Sequence, residues 1–139
     1  MNPLTSSKAA LGVLRPFLSN AQMGLLLDAC KGDEGRFFEQ KLVDLAALIE
    51  AMPVTYEQDE QGDQARVYLH YFLAGSHWYI TEKDIDGGVR QAFGFAILNG
   101  CRADAELGYI SIEELTAAAA EMDLYFSTCS LATVRQQLT

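Results

Sequence analysis

The chain predicts an α+β fold, with N-terminal helices followed by an antiparallel sheet of four to five strands and a helix after the fourth strand. Three observations carry this. Apolar residues recur at helical spacing up to Met52, and at every second position from Ala65 onward. The polar stretch "PVTYEQDEQGDQ" separates the two regimes. Beyond it, glycine-containing turns punctuate short runs rich in aromatic and β-branched residues. With 139 residues, 50% of them hydrophobic and 21% charged, the chain suits a single domain with its own core. Residues 1–52 form its helical part, 53–64 a polar connection, and 65–139 a sheet with two helices.

A weak helix precedes Pro16. "SNAQMGLLLDACKG" follows, with Ser19 or Asn20 as N-cap, Met23, Leu26, Leu27 and Cys30 as its apolar face, and Gly32 as its stop. In "DEGRFFEQKLVDLAALIEAM", residues Phe38, Leu42, Leu45, Ile49 and Met52 form one stripe of a 3.6-residue period. Asp33 is positioned to cap this helix and Pro53 to end it. Strands are expected at 65–72, 77–83, 91–98 and 106–110. Gly75 turns the first hairpin, and Gly87 with Gly88 the second. Ser111 opens a capping box with Glu114, and the helix continues through the alanines to residue 121. "MDLYFS" reads as a fifth strand, and Ser130 caps a terminal helix.

The stretch "HYFLAGSHWYITEKD" concentrates both histidines and the sole tryptophan. A two-residue turn at Ala74-Gly75 pairs Tyr71 with Trp78 and His70 with Tyr79. A tight turn at Asp86-Gly87 or Gly87-Gly88 then gathers Val67, Leu69, Tyr71, Trp78, Ile80, Phe93, Phe95 and Ile97 on one face. That face reads as core. The other holds Tyr68, His70, Phe72, His77, Tyr79 and Thr81 beside the small residues Ala92, Gly94 and Ala96. It reads as an aromatic shelf, or as a second core layer if helices cover it.

Motifs for chemistry are poor. A two-histidine metal site lacks a third ligand, since parity sends Glu82 to the other face. "DIDGGVRQAFGF" begins like a calcium loop but places Phe95 where a bidentate glutamate belongs. No phosphate-cradling glycine loop follows a strand and opens a helix. Glu82 and Glu106 form a general acid/base pair only if their strands adjoin. Cys30, Cys101 and Cys129 are widely spaced and odd in number, as expected of reduced, mostly buried thiols. No metal and no cofactor is expected. No apolar run reaches the ~20 residues of a membrane helix and no signal peptide is evident, so a cytoplasmic location is expected.

Net charge is −9, unevenly placed: residues 1–52 carry five basic and six acidic side chains, residues 53–139 five and thirteen. Glu57, Asp59, Glu60 and Asp63 form an acidic segment without a base. Nucleic-acid backbones need clustered Lys and Arg, which the sequence lacks. An acidic surface suits a basic protein partner instead.

"VYLHYFLAGSHWYITEKD", "QAFGFAI", "AELGYISIEEL" and "MDLYFSTCSLATV" together resemble an uncharacterised domain family of bacterial plasmids, phages and large polyvalent proteins. The resemblance covers residues 65–135. Its most specific parts are Trp78, Tyr79, Thr81, Glu82, Phe93-Gly94, Glu106, Leu107, Gly108, Tyr109 and the helix opening at Ser111. The helix at 33–52 departs from the shorter family pattern. The resemblance implies a mobile-element setting, in which small acidic proteins often blunt restriction or CRISPR defences, and it implies no reaction. The expected function is therefore a non-catalytic accessory protein that binds another protein. Candidate binding residues are Tyr68, His70, Phe72, His77, Tyr79, Glu82, Glu106 and Tyr109, with the acidic segment. The alternatives are a single-stranded nucleic-acid binder that stacks bases on the aromatic face, and an enzyme using Glu82 and Glu106.

Overall fold

Helical periodicity in the first third produces three helices: α1 (Pro3–Leu14), α2 (Asn20–Cys30) and α3 (Gly35–Ala51). The computed structural model describes residues 3–138, and side chains from Lys8 onward. A short 3₁₀ turn at Arg15–Phe17 takes the chain past Pro16. Ser19 caps α2 as expected, accepting a hydrogen bond from the Gln22 N–H at 3.1 Å. Asp33 does not cap α3; the helix starts two residues later, and Glu34 at its N-cap makes no side-chain bond. Leu42, Ile49 and Met52 of the predicted stripe are buried and Phe38 and Leu45 partly so, with Ala46 buried beside them; this face meets α1 and α2.

The sheet runs in the order β5-β4-β3-β2-β6, with β2 at Leu69–Leu73, β3 at Ser76–Glu82, β4 at Ala92–Ile97, β5 at Glu106–Ile110 and β6 at Glu121–Met122. Strands β2 to β5 form an antiparallel meander. The chain then passes through α4 (Ile112–Ala117) and crosses to the far edge as β6. A separate two-stranded ribbon pairs β1 (Arg66–Val67) with β7 (Cys129–Ser130), and α5 (Leu131–Gln137) follows. Ser130 caps α5 through the Thr133 N–H. "MDLYFS" contributes only Met122 to a strand; Asp123 onward is turn, tied by Tyr125 N–H to the Asp123 carboxylate.

The first hairpin has the predicted register, with His70 opposite Tyr79 and Tyr71 opposite Trp78. Its left-handed residue is Ala74, at φ 53°, rather than Gly75. The second hairpin differs. Its connection is wide, closed by Asp84 and Gly88 with only Gly87 at positive φ, and β4 pairs as Tyr79 opposite Phe95 and Trp78 opposite Ala96. This is one residue away from either tight-turn register, and a one-residue slip exchanges the faces of a strand. Phe93, Phe95 and Ile97 therefore lie on the Tyr79 face. A bulge between Ile80 and Glu82 then sets Glu82 opposite Phe93, on that same face rather than across the sheet. Gly94 leaves no room for a side chain: a Cβ there would lie 2.1 Å from the Tyr79 carbonyl oxygen of β3.

Two apolar layers result. Leu69, Tyr71, Ile80, Ala92 and Ile110 pack against α1–α3 and α4, with Trp78 only half-buried at the margin. The Tyr71 hydroxyl, fully buried, donates to the Phe17 carbonyl at 2.6 Å and fixes the helical layer to the sheet. Lys83 does the same just past the end of the central strand β3, donating to the Ile49 carbonyl at 2.8 Å in the last turn of α3, where a cation is favoured. On the other face, Val67, Tyr79, Phe95 and Ile97 pack under Leu131 and Val134 of α5. Val67 and Tyr68 exchange their predicted sides because the chain breaks between β1 and β2, so Tyr68 joins the helical layer.

Helix α4 stops well short of residue 121. Ala119 takes φ 66°, the Ala120 N–H reaches back to the Leu115 carbonyl, and the Ala119 N–H reaches Thr116. That is a Schellman stop with alanine in the place usually given to glycine.

Candidate functional site

The predicted site residues separate into two groups. His70, Phe72, His77 and Tyr79 come together on β2 and β3, because alternate residues of paired strands share a face. His70 stacks on Tyr79 with ring centroids 4.5 Å apart and planes within 2°. Its Nε2 lies 2.9 Å from His77 Nδ1, and its Nδ1 lies 3.4 Å from the Asp123 carboxylate. In the neutral form of His70, Nδ1–H faces the carboxylate, which only accepts, and Nε2 accepts from His77 Nδ1–H. Burial lowers the His70 pKa, partly offset by Asp123. Phe126 leans over both rings, and α5 covers Tyr79 to 9% exposure. The face is thus a second core layer and not an open shelf. Among the described residues no group of three potential ligands gathers to hold a metal ion.

The second group forms around Glu82. The bulge turns this carboxylate toward the 54–64 connection, whose chain wraps it. Oε1 of Glu82 accepts the Gln58 N–H at 2.8 Å, and the residue is 2% exposed. Burial raises its pKa, the neighbouring Asp59 and Glu57 add to that, and hydrogen bonds from the Gln58 and Tyr56 backbone act against it. The Gln58 side chain completes the wrap. Its amide oxygen accepts from Arg66 N–H at 2.6 Å, and its NH₂ donates to the Arg66 and Thr81 carbonyls at 2.9 and 2.8 Å. Tyr56, held at φ 82°, sends its hydroxyl to that of Tyr109 on β5, 2.6 Å away. That bond raises the Tyr109 pKa.

Between the connection and the sheet lies a cavity of about 500 Å³. Phe93, Leu107 and Tyr109 form its apolar wall; Asp59, Glu60 and Glu82 supply its carboxylates, and no basic side chain lines it. Glu57 instead accepts the Val54 N–H at 2.8 Å, and Asp63 pairs with Arg135 at 2.9 Å.

Glu106 is elsewhere. Strand β4 separates β5 from β3, and Glu106 shares the row of Ala96 and Trp78, on the face opposite Glu82. The structure does not bring these two carboxylates together. Tyr68 lies on that opposite face too. Cys101 is exposed rather than buried, and all three cysteines are free thiols.

The residues that sequence reasoning missed are Tyr56, Gln58, Leu107, Asp123 and Phe126. All but Leu107 lie in irregular segments, where no periodicity marks which side chain faces inward. Comparison of the chain with protein-family models, curated proteins and solved structures gives no match.

Proposed function

We propose that the protein is a non-catalytic binding factor that takes a basic protein partner on the side formed by the 54–64 connection and β5. The observation that carries this is the cavity with Asp59, Glu60 and Glu82 in its lining and no cation among them. The five basic residues of this half are all turned to other uses. Arg66 bonds Thr128, Lys83 the end of α3, Arg90 Glu113, Arg102 the Leu138 carbonyl, and Arg135 Asp63. An unneutralised acidic concavity attracts cations and steers their approach. The mobile-element setting implied by the resemblance agrees with such a partner, because proteins that handle nucleic acid, restriction and CRISPR complexes among them, present basic surfaces.

The nucleic-acid reading draws less support: its stacking residues are engaged with one another, and Tyr79 is buried. Two measurements test the proposal together. Single-stranded DNA titrated at low and moderate salt is expected not to bind. A partner captured from host lysate is expected to be retained by the wild type and lost by Asp59→Lys/Glu60→Lys. Salt-sensitive DNA binding, or capture indifferent to the charge reversal, would overturn it.

A further inference from the structure

Strand β5 is an edge of the sheet, and it is unguarded. Its five residues carry a single charge, Glu106, and no proline. Leu107 is 40% and Tyr109 54% exposed. Among the described residues no loop, helix or side chain bonds to its outer backbone groups. Which groups those are follows from the ladder. A two-residue turn at Ala74-Gly75 makes Leu73 and Ser76 a hydrogen-bonded pair, and bonded and non-bonded pairs alternate from there. Carried across β3 and β4, the alternation aims Gly108 and Glu106 at β4 and leaves the N–H and C=O of Leu107 and Tyr109 pointing outward.

Both faces beside this edge are hollow. One side is the cavity already described; the other, about 370 Å³, lies between Trp78, Leu98 and Leu115 and is bordered by Glu106 and Glu114, again with no basic lining. Gly108 leaves open space above the strand between them. An extended segment laid along β5 would send alternate side chains into the two hollows, and each hollow presents carboxylates.

We propose that the partner binds by adding a strand to β5: an extended segment with Lys or Arg on both faces, its backbone bonded to Leu107 and Tyr109. This deepens the reading above and rests on it. A second copy of this chain is the wrong occupant, because edge-to-edge pairing would bring the two acidic hollows of each copy, at −9 per chain, against one another.

The backbone arrangement supplies a selective test. Leu107→Pro removes one outward N–H and leaves the β4 ladder whole, since proline is tolerated where an edge strand's N–H faces solvent. The probes are the seven-residue peptide Lys-Lys-Val-Val-Lys-Lys-Val, which sets lysines on both faces of a strand, and its counterpart with glutamate for lysine, followed by titration calorimetry and amide hydrogen exchange. The lysine peptide is expected to bind, to slow exchange at Leu107 and Tyr109, and to lose at least tenfold in affinity with Leu107→Pro; the glutamate peptide is expected not to bind. Circular dichroism confirms the fold of the variant, and a lysine peptide N-methylated at alternate residues gives the same contrast on wild-type protein. Equal binding by wild type and variant, and by plain and methylated peptides, would overturn strand addition while leaving the acidic binding side intact. No binding of the lysine peptide would overturn both. A wild-type dimer dissolved by Leu107→Pro would overturn the proposal in favour of self-pairing.

Discussion

Tyr79 and Trp78 are neighbours on β3 with unequal surroundings. Tyr79 is closed in by His70, Phe126 and α5, whereas Trp78 lies half-buried at the margin of the helical layer. Tyr79→Ala is therefore expected to destabilise the fold by about 3 kcal/mol, the lower part of the range for large buried aromatics. Trp78→Ala should cost less, and urea denaturation of the two variants gives the order. The opposite ranking would mean that α5 does not hold its place over the sheet. Ala119 is a second single-residue case. An L-residue at positive φ carries strain that glycine avoids. Ala119→Gly should raise stability by about 0.5–1 kcal/mol, net of the greater freedom glycine adds to the unfolded chain. A fall in melting temperature would contradict that reading of the helix stop.

At the scale of elements, one buried acid, Glu82, is among the groups that hold the 54–64 connection, through the Gln58 N–H. The folded Glu82 pKa lies above its unfolded value because burial disfavours the charge. Folding thus favours the protonated form, so this group's contribution is full below the ordinary carboxylate range and is lost as pH rises through the folded pKa. Glu82→Gln keeps an oxygen for the Gln58 N–H and removes the titration; the stability profile from acid to neutral pH should flatten in the variant. An unchanged slope would place the charge penalty elsewhere. His70 has the opposite sign: its lowered pKa means stability lost as pH falls through the usual histidine range. Elements were also the scale at which the sequence was most legible. Helix stripes, three serine caps, the Ala74-Gly75 hairpin and the α+β class follow from local spacing, and the structure has them. The face of β4 and the side of Glu82 were not legible, because a bulge at Thr81 and a wide 83–91 connection shift the register by one residue. Nothing in the alternation of "ITEKD" announces a bulge; it becomes visible only against the partner strand. The candidate site is half legible for the same reason: Glu82 and Tyr109 on its strands stand out in the sequence, while Leu107 does not, and Tyr56 and Gln58 come from a segment without a period.

Across the whole molecule, charge is the dominant asymmetry. Nineteen acidic side chains face ten basic ones, and the ion pairs that arginine makes with acids among the described residues, Arg90–Glu113 and Arg135–Asp63, are on or near the surface. Self-repulsion should therefore weaken the folded state, and screening should relieve it. Raising salt from ~0.01 to ~0.15 M, which shortens the Debye length from about 30 to about 8 Å, is expected to raise the melting temperature. A lower one would show that attractive pairs outweigh the repulsion. The two rims of the sheet also differ. At β6, the Gln22 side chain accepts the Met122 N–H at 2.8 Å and donates to the Met122 carbonyl at 2.7 Å, standing where a further strand would lie. With one rim occupied by an amide of its own helix and the other free, the sheet has an addition site but no propagation site. Copies joined head to tail would need a free β6 to meet each β5, and Gln22 denies it. Under the proposed strand addition the molecule would accept one guest and then stop, a terminator against filament growth through the two rims of this sheet.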